Sequence, residues 1–169
     1  MPLTLPPLDT VSFDSHLPLD YQPQVSADAQ ARALLTTRLA LAILAGQGEQ
    51  ADAGSALQRL EAKLDLALEL ALQQHYPPLA RHQPCRIGLE ALVWQQPQAL
   101  AVGSQGVLSL QVQAPSALTL QLPLTIQHCQ PQPDGFAITA SWGMALGDAQ
   151  AAWERWVFRQ HRQQIGRQT

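Results

Sequence analysis

A chain of 169 residues is long enough for one domain, or for one domain carrying a sizeable insertion. Its apolar fraction of 46% supports a buried core, while charge is sparse at 14% and glutamine carries much of the surface polarity. A formal net charge of −3 argues against a nucleic-acid binder that uses its whole surface, and two cysteines are too few for a disulfide scaffold.

The N-terminus, MPLTLPPLDT, has neither the basic stretch nor the apolar run of a signal peptide. The longest apolar runs, such as LALAILA at 39–45, fall well short of the ~20 residues that cross a bilayer, so a cytoplasmic protein without membrane insertion is expected. Residues 10–23, TVSFDSHLPLDYQP, mix aromatic and β-branched residues with prolines and predict an irregular strand or extended arm. The period then changes. Ser26 is placed to cap a helix over Ala27–Ala45, with Leu34, Leu35, Leu39, Leu41 and Leu44 as its apolar positions. Gly46, Gly48 and Gly54 bracket a flexible link, QGEQADAG, after which Ser55 is expected to cap a second helix that ends before Pro77 and Pro78.

In that second helix Leu57, Leu60, Leu64, Ala67 and Ala71 alternate three and four residues apart, the spacing of a coiled-coil seam. Leu68 and Leu72 continue from Leu64 on a neighbouring row, and Leu66 with Leu70 form a third. A helix apolar over so much of its girth must be covered on more than one side. One cover is the preceding helix. The surplus points to a second molecule, with a fold-back onto the rest of the chain as the alternative.

From Pro84 onward the period is two. Leu110 and Val112 alternate with Ser109, Gln111 and Gln113; Leu118, Leu120, Leu122, Leu124 and Ile126 share one face, opposite Thr119, Gln121, Pro123, Thr125 and Gln127. Phe136, Ile138, Ala140 and Trp142 form another inward set, and turns are expected at Pro115–Ser116 and within PQPDG at 131–135. Short strands at this spacing suggest a small barrel or sandwich, closed by a helix that begins near Asp148.

This order of elements, with LQRLEAKLDLALELAL, CRIGLEALVW and the tail WERWVFRQHR, resembles the atypical PilZ family that assembles as tetramers. The resemblance implies an α+β fold: a small antiparallel PilZ-like β-barrel interrupted by two long α-helices, plus a C-terminal helix. The implied layout is one domain over 1–169. It has a first strand or arm over 1–25, a two-helix oligomerisation insertion over 26–76, the remaining strands over 77–145 and the closing helix over 146–169. Leu57, Leu60, Leu64, Ala67, Leu68 and Ala71 become the expected oligomer interface, in a helical bundle outside the barrel.

Standard PilZ domains bind cyclic di-GMP through an RxxxR pair, whose guanidinium forks suit phosphates and guanine edges, and through a (D/N)xSxxG stretch. Residues 10–23 contain no arginine. Alignment puts Arg86, Gly88 and Ala91 where the family has Asp or Asn, Ser, and Gly, so all three signature positions are changed. No charged residue occurs from Ala91 through Pro133, leaving Arg81 and Arg86 as the candidates for a cyclic di-GMP contact. Losing charge-assisted contacts, roughly twice as strong as neutral ones, is expected to lower affinity by orders of magnitude. No cofactor is therefore expected, with direct cyclic di-GMP binding at a non-standard site as the alternative.

The tail carries Arg155, Arg159 and Arg162 on one helical face, near Trp156 and Phe158. Such a mixture suits phosphates and stacked bases, but the plainer expectation docks Trp153, Trp156 and Val157 on the barrel with the arginines in water. Contact with a partner protein is a second use of that helix, and nucleic acid a third. His82, Cys85, His128 and Cys129 lack the paired spacing of a zinc site, and the two cysteines read as small buried hydrophobes. Glu61, Asp65 and Glu69 recur every four residues without an ExxH partner, as on a solvated helix face. No nucleophile elbow or glycine-rich phosphate loop appears. No catalytic arrangement is read in the sequence, and the resemblance, with its ligand signature changed, implies a non-enzymatic adaptor working through partners in a cyclic di-GMP or pilus and motility pathway.

Overall fold

The computed structural model describes residues 5–46, 55–75, 79, 81–112 and 116–168. Six antiparallel strands, β1 (Ser12–Pro23), β2 (His82–Gly88), β3 (Ala91–Gln96), β4 (Gln105–Gln111), β5 (Thr119–Gln132) and β6 (Gly135–Ser141), close into a barrel in the order β1-β2-β3-β6-β5-β4. Two helices, α1 (Ala27–Gly46) and α2 (Ser55–His75), are inserted between β1 and β2. A single 3-10 turn, Gly147–Ala149, leads into the closing helix α3 (Gln150–Gln168). β1 completes the barrel by dividing its pairing: Ser12–Pro18 run against β2, and Leu19–Pro23 against β4.

The period-two pattern fills the interior. Leu19, Ile87, Leu92, Trp94, Leu108, Leu110, Leu120, Leu122, Leu124, Ile126, Ile138 and Ala140 are buried together. Strands read as alternating thus place one full set of aliphatic side chains in the core, the dominant favourable contribution to such a fold.

α1 solves a problem of strand length. β6 has 7 residues and pairs with β5 only from Thr125 to Gln132, whereas β5 has 14. The first half of β5 therefore has an open edge, and α1 lies along it. Buried Thr37 donates its hydroxyl to Gln121 O and accepts Gln121 N–H, both at 2.7 Å. Unmet backbone groups on a strand edge are costly, and one hydroxyl satisfies two of them. Ala33, Ala40, Leu41 and Leu44 bury the same face, their small members letting the helix approach closely. Of the two inserted helices it is therefore α1 whose buried face is spent on the barrel, while the apolar rows of α2 stay exposed. Thr119, expected on the outer face, is buried for the same reason.

Ser26 caps α1 through its Oγ, which accepts Ala29 N–H at 3.3 Å. Of the two alternatives read for 10–23, strand or extended arm, β1 is the strand, and the turn expected across 131–135 contracts to Pro133–Asp134, with Pro131 paired opposite Phe136. The link at 47–54, Pro77 with Pro78, and Pro115 lie outside the described residues, as does the side chain of Ser55, the first residue of α2. Among the described residues, no helix is long and apolar enough to cross a membrane.

At one end of the barrel α3 forms a plug. Trp153 and Val157 are fully buried, and Trp156 nearly so. Trp153 packs edge-on to Trp142 at 4.9 Å between ring centroids, and Phe13 meets Trp156 at 5.4 Å. The Trp153 indole N–H donates to Gly88 O at 3.0 Å, and the Gln150 amide donates to Leu89 O at 2.9 Å, so the polar atoms of the plug are satisfied as it buries.

Candidate functional site

The three positions aligned with the ligand signature cluster at the plugged end, where β2 turns into β3. Asp14 of β1 lies directly opposite Arg86 of β2 in register. Arg86 binds it bidentately, Nε to Oδ1 at 2.7 Å and the Nη2 amine to Oδ2 at 2.9 Å. The remaining Nη1 donates to the carbonyls of Leu5 and Pro6, each at 3.0 Å. The guanidinium is therefore engaged on every side, and its fork geometry explains why arginine suits the place better than lysine.

The segment it holds, Leu5-Pro6-Pro7-Leu8, lies across the outer wall of β2, β3 and β6. Leu5 is buried with Val93 and Ala137, and Leu8 packs on the same cluster. A Cβ built on Gly88 would come within 2.9 Å of the Leu8 side chain and 3.0 Å of the Thr10 hydroxyl. The arm thus covers the surface that carries Arg86 and Gly88.

Arg81 lies at the opposite end of β2, so the two arginines are not brought together. It is exposed, and it borders a polar cavity of about 260 Å³ at the open mouth of the barrel, with Asp20, Tyr21, Gln83, Trp94 and Gln96. Leu19 N–H donates to Arg81 O at 3.2 Å, fixing the backbone there.

The second notable surface is α2. Leu57, Leu60, Leu64, Leu66 and Leu70 are each at least 50% exposed, Leu68 is 36% exposed, and Ala67 and Ala71 are exposed as well. Leu35 and Leu39 of α1 are each 60% exposed. Monomeric proteins rarely present so many large apolar side chains in one region. Near its C-terminal end α2 faces α1 across an apolar cleft of about 720 Å³, lined by Leu39, Ala40, Ile43, Leu68, Ala71 and Leu72 among others. Glu69 ties α2 to the chain before β5: its carboxylate accepts the Ser116 hydroxyl and the Ala117 N–H, each at 2.6 Å. The Ser116 hydroxyl, more than burial opposes, holds the Glu69 carboxyl below the usual range.

On α3, Trp153 and Trp156 face the barrel, Arg155 and Arg162 are exposed, and Arg159 is half-buried. Sequence reasoning missed the arm, Asp14 and the tether role of Glu69. The Leu-Pro-Pro-Leu spacing was the one available signal for the arm; Asp14 and Glu69 gave none, since their partners are distant in sequence.

A closed six-stranded barrel with a two-helix insertion after its first strand and a C-terminal plug defines the class of this protein. The family model for the atypical PilZ domain, cyclic di-GMP receptor, matches residues 24–169, and the chain belongs to that family. Among solved structures, one from Xanthomonas campestris is similar at a TM-score of 0.72 with 24% identity, over 94% of this chain and 91% of that one. It is a pathogenic protein described as a new tetrameric PilZ domain self-assembled via an unusual helical bundle. No curated protein matches the chain.

Proposed function

We propose that this protein is a non-enzymatic, oligomeric regulator of cyclic di-GMP signalling in the cytoplasm, acting mainly by docking a partner protein, with motility or pilus function as the output. The observation that carries the oligomer is the exposed leucine surface of α2. Full burial of one such side chain is worth about 1.5–3 kcal/mol, so several rows left in water favour association strongly. The Xanthomonas protein is described as tetrameric through a helical bundle, and a similar bundle here covers Leu57, Leu60, Leu64, Ala67, Leu68 and Ala71. The cleft between α1 and α2 gives a helix of another copy a place to seat. Light scattering tests this reading: the protein has a mass near four times that of the chain, and Leu60→Glu with Leu64→Glu reduces it to a monomer with unchanged strand signal in circular dichroism. A monomeric parent protein overturns it.

Protein contact is favoured over direct cyclic di-GMP binding because the forks a dianionic ligand needs are missing or engaged. Residues 10–23 hold no arginine, Arg86 is committed to Asp14 and the arm, and the arm lies against Gly88 as well. Calorimetric titration with cyclic di-GMP is expected to give no heat. A second reading, a receptor with a non-standard site, has one observation in its favour: exposed Arg81 borders a polar cavity with Trp94 and Tyr21. Clear heat that Arg81→Ala abolishes establishes it instead.

A further inference from the structure

The N-terminal arm sits on the barrel in the manner of a bound peptide. Pro6 and Pro7 fix their own φ, and each restricts the residue before it, so Leu5–Pro7 is held in extended polyproline geometry before any contact forms. That helix has three residues per turn, which puts Leu5 and Leu8 on one side, about 9 Å apart. Both leucines face the wall built by Val93 and Ala137, outward-pointing side chains that are nonetheless fully buried. A polyproline segment makes no internal hydrogen bonds, so its carbonyls are free, and the Arg86 Nη1 collects two of them. Asp14 grips the other side of the same guanidinium, so the donor is aimed by the barrel and does not depend on the arm. Gly88, lacking a Cβ, lets the strand of the arm lie against the wall.

We infer that the wall formed by Arg86, Gly88, Val93 and Ala137 is a recognition groove for an extended Leu-Pro-Pro-Leu type segment, which residues 5–8 fill in cis and which a partner protein's segment of the same chemistry enters by exchange. The groove offers a preformed extended segment two things: an apolar patch that receives leucines one turn apart, and a fixed donor for its free carbonyls. Its occupation by the chain's own arm sets a threshold, because a short tether supplies an effective concentration on the order of millimolar that an outside peptide must exceed. This holds whether or not cyclic di-GMP binds.

The test uses the full chain and a fluorescein-labelled peptide of residues 5–11, LPPLDTV, followed by fluorescence anisotropy. In the variant L5D/L8D the arm leaves the groove, and the peptide is expected to bind about tenfold or more tightly than to the parent protein, whose arm competes. Adding R86Q to that variant removes the binding, and a peptide with both leucines replaced by serine does not bind. A folded L5D/L8D protein that shows no binding at ~1 mM peptide overturns the inference, as does equal binding by parent and variant. Should L5D/L8D lose the parent's circular dichroism, Pro6→Gly with Pro7→Gly loosens the arm through backbone entropy alone and is judged by the same two outcomes.

Discussion

Arg86 illustrates how little of a residue's role its type reveals. As an isolated arginine beside a strand it was open to being a ligand contact; in the fold it joins β1, β2 and the arm through one guanidinium. The two cysteines divide in a similar way. Cys85 is buried in the barrel wall, and burial pushes its thiol up to about 12, while Cys129 is half-buried on β5. Reactivity follows the thiolate, which at pH about 8 is a very small fraction of Cys85. Ellman's reagent is therefore expected to titrate one thiol in the native protein, at Cys129, and the second only after unfolding. Equal native rates at both sites contradict the buried placement of Cys85.

At the scale of elements, α1 and α2 looked alike in sequence and do different work. α1 completes the barrel, with Thr37 serving the open edge of β5; α2 meets the rest of the chain near its C-terminal end, through Leu72 and Glu69. The tether has a pH dependence. Because the Ser116 hydroxyl holds the folded-state pKa of Glu69 below its ordinary value, the contribution of the tether is present above the ordinary carboxylate range and is lost as pH falls through the lowered value. The protection factor of the Ala117 amide against hydrogen exchange is expected to drop on acidification. In Glu69→Gln it starts lower and loses most of that acid response. An Ala117 amide equally protected in parent and variant means that the tether does not hold in solution.

For the whole molecule, the barrel is saturated with buried aliphatic contacts while the insertion leaves leucines in water. In the proposed oligomer this imbalance couples stability to assembly. Anything that binds the folded chain and not the unfolded one raises stability by mass action, a second copy included. The urea midpoint of the parent protein is expected to rise with protein concentration, and that of Leu60→Glu with Leu64→Glu to stay constant. A concentration-independent parent midpoint indicates that the helix face adds nothing to stability.

Element order, the inward sets of β5 and β6, the apolar rows of α2 and the tryptophan plug were legible in the sequence, because each is written in local periodicity of two or 3.6. Family membership followed from that order. What only the tertiary structure decided depends on residues far apart in the chain: the pairing of Asp14 with Arg86, the seating of Leu5 and Leu8 on Val93 and Ala137, and the use of Thr37 to serve Gln121. A single arginine, a threonine in a helix or a leucine beside proline has many possible partners, and pattern gives no means of choosing among them. Strand lengths and barrel closure make the choice, since they leave one edge of β5 open and an apolar patch on the outer face of β3 and β6, and the nearest side chains of suitable chemistry fill those places.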